Sequence, residues 1–372
     1  MTNSIRDRIA ILIPGLMVGG AERSMLKLAG GISSHGYPVD LVILRASGPL
    51  MNEVPSTVRL IDLGTNRVLN SLPALVRYMR RERPVALLSV LHTNLVAVCA
   101  GRLAGLTTRI VVSERNTLSS QVQHYASNWR MRLTPHLIRR LYPWADAIVA
   151  VSEGVASDLA RSALIPLDRI RTIYNPIVTP TMRKMAEATL THSWFQSDAS
   201  PVILAVGRLT AQKDFATLIR AFALVRRLRA ARLMILGEGQ ERAALEAQIR
   251  DLGLREDVDL PGYISNPYPY MKRSALFVLS SRWEGLPGVL IEALYCGVPV
   301  VATDCPSGPR EILADGKYGR LVPVGDANAL AEAILGHLES PLSVAPPESW
   351  KQYTMDTVVS QYLEVLHGEG FN

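Results

Sequence analysis

Short apolar segments alternate with helical stretches along most of the chain, and this alternation limits the folds that the sequence can adopt. The segments are rich in Val, Ile and Leu, as strands are when helices cover both faces of a parallel sheet. We therefore predict an α/β protein with doubly wound parallel sheets. The predicted strands are RIAILIP (8–14), PVDLVIL (38–44), VALLSVL (85–91), RIVVS (109–113) and DAIVAVS (146–152), followed by PVILAV (201–206), ARLMIL (231–236), ALFVLS (275–280) and VPVVAT (298–303).

The chain length and a break in the pattern indicate more than one domain. The 372 residues exceed what one hydrophobic core usually serves. The clearest break is the segment 174–201, which contains prolines and has no clear period. We predict an N-terminal domain over residues 1–180, a C-terminal domain over 181–348 and a C-terminal helical segment over 349–372, with a cleft between the two domains.

Charge is distributed unevenly along the chain. Residues 1–185 carry 23 Lys and Arg against 11 Asp and Glu, whereas residues 186–372 carry 17 against 22. A basic first half suits nucleic acid, phosphorylated substrates or an anionic membrane, and it also fits a surface that serves only solubility. The basic residues lack the motifs of RNA-binding or DNA-binding proteins, so we expect no nucleic-acid partner.

The expected cellular compartment is inferred from features that the sequence does not contain. It has no apolar run of about 18 residues, as a spanning helix would need, and its first residues lack the apolar core of a signal peptide. Its three cysteines, Cys99, Cys296 and Cys305, form no CxxC pair, which argues against a disulfide framework and a zinc cluster. We expect a cytoplasmic protein.

Polar and glycine residues follow the predicted strands, at the edge where ligands of doubly wound sheets bind. In the first half this edge carries GLMVGGAER, the residues His92 to Asn94 and the residues Glu114 to Asn116. In the second half it carries GRLTAQK, GEG and SRWEGLPG. These segments are the candidate functional site.

Two of the segments can bind phosphate groups. Gly19 and Gly20 end a loop and open a helix, where free amides bind anions, although an ordinary strand–helix turn has the same pattern. The loop is neither a P-loop nor a dinucleotide fingerprint, because GK[ST] and GxGxxG are missing. Arg208 and Lys213 on one short loop can clamp a diphosphate and stabilise a leaving group, or they are two solvated surface charges.

Two acids, Glu284 and Glu292, interrupt an apolar stretch. The pattern places Glu284 in a loop and Glu292 in the second turn of the following helix, whose positive end lies near Gly288. A carboxylate beside an anion site suits the hydroxyls and diphosphate of a nucleotide-sugar. The alternative is that each Glu serves as a cap or an ion-pair partner.

His92 stands at the end of a predicted strand. There it can orient a substrate or stabilise charge, or it can be the N-cap of the next helix. The remaining histidines are scattered, and no group of residues has metal-ligand spacing.

The chain resembles glycosyltransferase family 4, the group 1 type of glycosyl transferases with the GT-B fold. The motifs that carry the resemblance are GGAER (19–23), VSERN (112–116), AVSEGV (150–155), IYNP (173–176), VGRLTAQKDF (206–215), GEG (237–239), EGLPGVLIEAL (284–294) and GVPVVATDCPSGPREIL (297–313). The resemblance implies two Rossmann-like domains, of which the first binds the acceptor and the second the donor. It also implies a nucleotide-activated sugar, retention of anomeric configuration, and no metal or other cofactor.

The resemblance also assigns residues. Arg208 and Lys213 match the family's diphosphate-binding Arg-x4-Lys, and Glu284 and Glu292 match its Glu-x7-Glu pair, with Glu284 near the donor sugar and Glu292 at the ribose. On this basis the predicted donor-binding residues are Gly19, Gly20, Arg208, Lys213, Glu284, Leu286, Gly288, Val289 and Glu292. His92, Glu284, Arg208 and Lys213 are the predicted catalytic residues. The predicted acceptor side consists of His92, Asn94, Glu114, Arg115 and Asn116.

The version of the motifs in this chain is most similar to bacterial enzymes of polysaccharide or lipid-linked oligosaccharide synthesis, which implies a UDP-sugar donor. We therefore expect a retaining glycosyltransferase with a membrane-linked or polysaccharide acceptor. A transferase with a soluble acceptor and a catalytically silent sugar-nucleotide-binding module are the alternatives.

The segment 121–144 combines arginines with an apolar, aromatic stripe. This composition suits contact with anionic lipid on the inner face of the cell membrane. The alternative is a helix that packs on the domain core. Pro135 argues against one continuous helix there. The residues concerned are Arg130, Arg132, Arg139 and Arg140 beside Trp129, Leu133, Leu137, Ile138 and Leu141.

Overall fold

A computed structural model of the chain describes residues 7–17, 19–124, 129–196 and 200–368. For residues 124 and 129–131 it describes the backbone only. The chain divides into two compact units. The first extends to Pro176 and also includes the residues from Tyr353 onward, and the second is Ile177–Gln352.

The first unit contains a parallel sheet of seven strands within the described residues, in the order β3-β2-β1-β4-β5-β6-β7. The central strand β1 pairs in parallel with β2 and β4, with Ile11 opposite both Leu41 and Leu88. The strands are β1 Ile9–Ile13, β2 Val39–Ile43, β3 Val58–Asp62, β4 Ala86–Val90, β5 Arg109–Glu114, β6 Ala147–Ala150 and β7 Ile170–Thr172.

Helices cover this sheet because each carries an apolar stripe that must be buried. They are α1 Gly20–Ser34, α2 Leu72–Glu82, α3 Asn94–Ala104, α4 Leu118–His124, α5 Trp129–Leu141 and α6 Glu153–Ala163, together with a C-terminal helix, Met355–His367. α5 runs through Pro135, so the prediction that this proline interrupts the helix is wrong. No helix in the described ranges has both the length and the apolar character that crossing a membrane requires.

The C-terminal helix completes the core of the first unit. Val358 and Tyr362 are fully buried where this helix packs against β4 and β5. Arg109 Nε, on β5, donates to Val365 O at 2.7 Å. α1 crosses this helix at Gly31, where an added Cβ would lie 2.6 Å from Val359 Cγ2, so the close approach requires glycine.

The second unit repeats the architecture with six parallel strands, in the order β10-β9-β8-β11-β12-β13 among the residues described. The strands are β8 Val202–Val206, β9 Arg232–Leu236, β10 Val258–Gly262, β11 Leu276–Leu279, β12 Val300–Thr303 and β13 Arg320–Val322. The helices are α7 Met182–Ala186, α8 Phe215–Leu228, α9 Arg242–Asp251, α10 Tyr268–Arg273, α11 Gly288–Cys296, α12 Pro309–Ile312 and α13 Ala327–Glu339. The predicted α/β class with two doubly wound parallel sheets is confirmed.

Candidate functional site

The loop between β8 and α8 carries the two cations predicted for the second unit. It lies at the carboxyl edge of the sheet, where ligands of doubly wound folds bind. The Lys213 N–H donates to Thr210 O at 2.9 Å, which closes the loop into a turn. Arg208 is exposed, and its guanidinium has no hydrogen bond or ion pair to any described residue. Arg208 is therefore open to an anion.

The GEG motif after β9 supports this loop. Gly237 has φ +149°, and a Cβ there would lie 1.9 Å from Gly207 O, so only glycine fits. The Leu209 N–H donates to Glu238 O at 2.9 Å and holds the two loops together. The motif thereby fixes the backbone beside Arg208.

Lys213 and Glu284 form an ion pair inside the second unit. Lys213 Nζ lies 2.5 Å from Glu284 Oε1, and Ser281 Oγ donates to the same oxygen at 2.6 Å. Glu284 is only 6% exposed, so its carboxylate needs such partners. The ion-pair alternative for Glu284 therefore applies in this structure, and its partner is the lysine predicted to bind the diphosphate. Sequence reasoning missed Ser281, because a single serine in a loop carries no distinctive pattern.

The charges of this pair act on Cys305 nearby. Burial raises the pKa of the Cys305 thiol far above its usual range, and the Glu284 carboxylate raises it further. The thiol therefore stays protonated at neutral pH and serves packing rather than nucleophilic attack.

The start of α11 has no side-chain cap, so its first amides remain available to an anion. The Leu286 side chain is buried, whereas Gly288 and Val289 are partly accessible. A Cβ on Gly288 would lie 2.8 Å from Ile177 Cδ1.

Glu292 lies in the second turn of α11 and is half-buried. The Tyr268 hydroxyl donates to its Oε1 at 3.3 Å. Burial raises the pKa of Cys296, one turn further along the helix, to about 12, and the Glu292 charge contributes. Glu292 is therefore fixed on a helix, whereas Glu284 is held in a loop.

In the first unit, α1 starts at Gly20 after the extended residue Gly19. Apart from the adjoining backbone of α1, no described atom lies within 4 Å of the position that a Cβ on Gly20 would take. A Cβ on Gly19 would lie 2.2 Å from Glu22 Oε2, so the Glu22 carboxylate lies over the beginning of the helix. The open backbone suits an anion, but Glu22 already places a negative charge there.

His92 follows β4 on a 3₁₀ turn that spans Leu91–Thr93. Leu91 has φ +60°, an unfavourable backbone conformation for a branched residue, and His92 is exposed. Its ring has no hydrogen bond or ion pair to the part of the chain that the structure describes. The N-cap alternative is wrong, because α3 begins at Asn94 and its N-cap residue is Thr93.

Asn94 and Glu114 come together at the carboxyl ends of β4 and β5. Asn94 Nδ2 donates to Glu114 Oε1 at 3.1 Å, and the Tyr142 hydroxyl donates to the same oxygen. Burial raises the pKa of Glu114, although these two hydrogen bonds favour the carboxylate. Asn94 Oδ1 is buried and accepts no hydrogen bond from a described residue. Sequence reasoning did not include Tyr142 in the site, because it lies on a distant segment.

Arg115 directly follows the last residue of β5, Glu114. It is only 5% exposed, and none of its three guanidinium nitrogens makes a hydrogen bond of acceptable geometry to a described residue. Burial lowers the pKa of Arg115, whereas the nearby Tyr362 hydroxyl and the Glu22 carboxylate favour the cation. The neighbouring Asn116 is half-buried. Among the described residues, Arg115 thus has no direct ion pair although it is buried.

The basic segment 121–144 is partly described. Ile138 is buried and attaches α5 to the core, whereas Leu133 and Leu137 are nearly half exposed. Arg132, Arg139 and Arg140 are exposed. The side chains of Trp129 and Arg130, and residues 125–128, lie outside the described residues.

Comparison with known proteins places this geometry in a family. Residues 190–356 match the family Glycosyl transferases group 1, and residues 18–179 match Glycosyltransferase Family 4. The N-acetylgalactosamine-N,N'-diacetylbacillosaminyl-diphospho-undecaprenol 4-alpha-N-acetylgalactosaminyltransferase of Campylobacter jejuni is 33% identical over 90% of this chain and 90% of its own length. The lipopolysaccharide core biosynthesis glycosyltransferase LpsE of Rhizobium meliloti is 29% identical over 94% of this chain and 96% of its own.

Solved structures share the fold. The crystal structure of Anabaena HepE in complex with UDP and glucose matches 98% of this chain and 100% of its own chain, with a TM-score of 0.80 and 19% sequence identity. The two Rossmann-like units, the two family matches and the 33% identity to a relative of the same length lead to one conclusion. The chain belongs to the group 1 glycosyltransferases and has the GT-B fold.

Proposed function

We propose that the protein is a retaining glycosyltransferase that moves a sugar from a UDP-sugar to a hydroxyl of a lipid-linked or polysaccharide acceptor in cell-surface glycan synthesis. The observation that carries the proposal is the group formed at the carboxyl edge of the second sheet. There, an open Arg208 lies on the same loop as Lys213, which is paired with Glu284. Two cations and a carboxylate at one edge match the diphosphate and hydroxyls of a nucleotide-sugar.

Each residue of this group has a role in the proposal. Arg208 and Lys213 bind the diphosphate and stabilise the charge that develops on the leaving nucleotide. Glu284 accepts hydrogen bonds from hydroxyls of the transferred sugar. Glu292, fixed on α11, binds the ribose hydroxyls, and the amides at the start of α11 receive a phosphate oxygen. The open backbone at Gly20, at the start of α1 in the first unit, is proposed as a further anion-binding position.

We propose that the transfer needs no metal, because Arg208 and Lys213 supply the positive charge that a divalent cation supplies elsewhere. Turnover in the presence of EDTA tests this point. Activity that EDTA abolishes and Mg²⁺ or Mn²⁺ restores would overturn it.

The acceptor is proposed to bind to the first unit. The Campylobacter relative acts on a diphospho-undecaprenol acceptor and the Rhizobium relative takes part in lipopolysaccharide core biosynthesis, as their names state. His92, Asn94 and Arg115 follow the ends of β4 and β5, where an exposed imidazole, an unsatisfied amide oxygen and a buried cation can meet a sugar hydroxyl and a phosphate. Glu114 and Asn116 flank Arg115 on the same segment.

Association with the inner face of the cell membrane would bring the enzyme to such an acceptor. A groove of about 750 Å³ on α2 and α3 combines exposed arginines with apolar side chains. Trp144 is also exposed, with the Arg102 guanidinium 5.3 Å from its ring centroid. Arginines beside apolar and aromatic side chains suit anionic lipid. The groove is lined by Leu72, Pro73, Val76, Arg77, Arg80, Arg81 and Leu103.

Nucleotide-sugar screening tests the proposal. We expect one or more UDP-sugars to raise the melting temperature by mass action, and slow release of UDP from that donor without acceptor. With a lipid-linked acceptor analogue, NMR should show a product with the anomeric configuration of the donor. Stabilisation without any UDP release would favour a silent binding module, and transfer to free sugars but not to the lipid-linked analogue would favour a soluble acceptor.

A further inference from the structure

Two adjacent serines at the end of β11 hold the two charged residues of the donor site. Ser280 Oγ donates to Lys213 O at 2.7 Å, and Ser281 Oγ donates to Glu284 Oε1 at 2.6 Å. Both serines are buried, and Thr303 Oγ1 on β12 donates to Ser281 O at 2.6 Å. The backbone that carries the Ser281 hydroxyl is therefore held from a second strand.

Lys213 and Ser281 donate to the same oxygen of Glu284. Within the described ranges no other side chain or amide donates to this carboxylate. A diphosphate that takes Lys213 would remove the counter-charge and one of two hydrogen bonds from a carboxylate that is 6% exposed. Leaving such a group without any donor is costly, so the remaining hydrogen bond from Ser281 matters most in the donor complex.

We propose that the donor diphosphate withdraws Lys213 from Glu284, and that Ser281 is the positioning residue that then holds the Glu284 carboxylate toward the donor sugar. The step exchanges one ion pair for another, and no covalent bond changes. The inference rests on the proposed function, because it takes the diphosphate of a nucleotide-sugar as the ligand of Lys213.

The exchange predicts opposite effects for two variants. Ser281→Ala leaves Lys213 as the only described donor to Glu284, so withdrawing Lys213 costs more. UDP should then bind roughly ten- to a hundredfold more weakly, the scale of one hydrogen bond to a buried charge. Glu284→Gln releases Lys213 from its ion pair, so UDP should bind as tightly as to the wild type or up to about tenfold more tightly.

A double-mutant cycle measured by calorimetry tests the coupling, with UDP and inorganic pyrophosphate as the two probes. In the Glu284→Gln background, Ser281→Ala should change the affinity for either probe by less than about twofold, because the carboxylate that Ser281 holds is gone. Ser71→Ala is the matched control, since this buried hydroxyl donates to a main-chain oxygen, Val68 O, in the first unit and its loss should leave both affinities unchanged.

The outcomes separate the inference from the proposed function. If Ser281→Ala weakens probe binding equally in both backgrounds, or has no effect in either, the positioning role is overturned while the donor site stands. If neither probe binds the wild-type protein, the donor site and the inference fall together. If the double-mutant cycle shows the expected coupling but the protein transfers no sugar, the proposed function is overturned and the ion-pair exchange remains.

Discussion

At the scale of single residues, the two glutamates of the donor site differ in what holds them. Glu284 lies in a loop and is paired with Lys213, whereas Glu292 is carried by α11 and bonded by Tyr268. Glu284→Gln should lower kcat roughly ten- to a thousandfold, because it removes one carboxylate that favours positive charge on the transferred sugar. Glu292→Gln should instead weaken donor and bare UDP alike, mainly through KM.

Steady-state kinetics and UDP calorimetry on both variants check this division. A Glu284→Gln protein with normal kcat and weakened UDP binding would reverse the assignment. A Glu292→Gln protein that binds UDP normally would remove Glu292 from the ribose.

Arg115 shows a conflict between stability and binding at a single position. A buried cation without a direct ion pair to a described residue is costly to the folded state. Even buried ion pairs can often be replaced by apolar residues with a neutral effect or a gain of about 1–4 kcal/mol. We expect Arg115→Met to raise the melting temperature and to raise KM for a phosphorylated acceptor. Thermal unfolding and acceptor kinetics measure the two effects.

Arg109→Met is a suitable comparison, because that arginine donates to Val365 O at 2.7 Å and its loss should lower the melting temperature. A lower melting temperature for Arg115→Met with unchanged acceptor kinetics would mean that Arg115 serves only the fold.

At the scale of elements, the strands that sequence patterns failed to predict are β3, β7, β10 and β13. These four are the edges of the two sheets. These edge strands are partly solvated, so they lack the continuous apolar runs by which the inner strands were predicted. The inner strands were predicted because burial on both faces requires a continuous run of apolar residues, which is visible in the local sequence.

The crossing of α1 and the C-terminal helix depends on Gly31. A Cβ there would lie 2.6 Å from Val359 Cγ2 and 2.8 Å from Met355 Sδ. Gly31→Ala should therefore lower the free energy of unfolding by about 1–3 kcal/mol, despite alanine's better helix propensity. Chemical denaturation, followed by a probe in the first unit, measures the change.

Gly336→Ala in α13 provides the control for helix propensity. The atom nearest to a Cβ at this position belongs to the flexible end of Arg320, at 3.3 Å. That variant should be neutral or more stable. Val359→Ala in the Gly31→Ala background should restore part of the loss. Equal effects of both glycine substitutions would contradict a tight crossing.

At the scale of the whole molecule, the charge asymmetry predicts which surface meets a membrane. Replacing Arg77, Arg81, Arg139 and Arg140 by glutamine should lower binding to anionic vesicles at least about tenfold, since each basic residue near such a surface contributes about 1 kcal/mol. Co-sedimentation with anionic and with neutral vesicles measures this.

The matched control replaces the same number of exposed arginines on the second unit, Arg227, Arg229, Arg250 and Arg255, and should bind like the wild type. Equal binding to neutral and anionic vesicles, or equal losses in both variants, would rule out a specific basic face.

The sequence by itself determined the α/β class, the two sheets and the family, because buried parallel strands and loop motifs are local patterns. Tertiary structure decided which side chains meet. Lys213 and Glu284 are separated by 71 residues, and no spacing rule predicts that one oxygen accepts from both Lys213 and Ser281. Nor does the sequence place Tyr362 near Arg115, across most of the chain. Such pairs form because strand order brings distant loops to one sheet edge, and that order depends on packing of the whole unit rather than on any local segment.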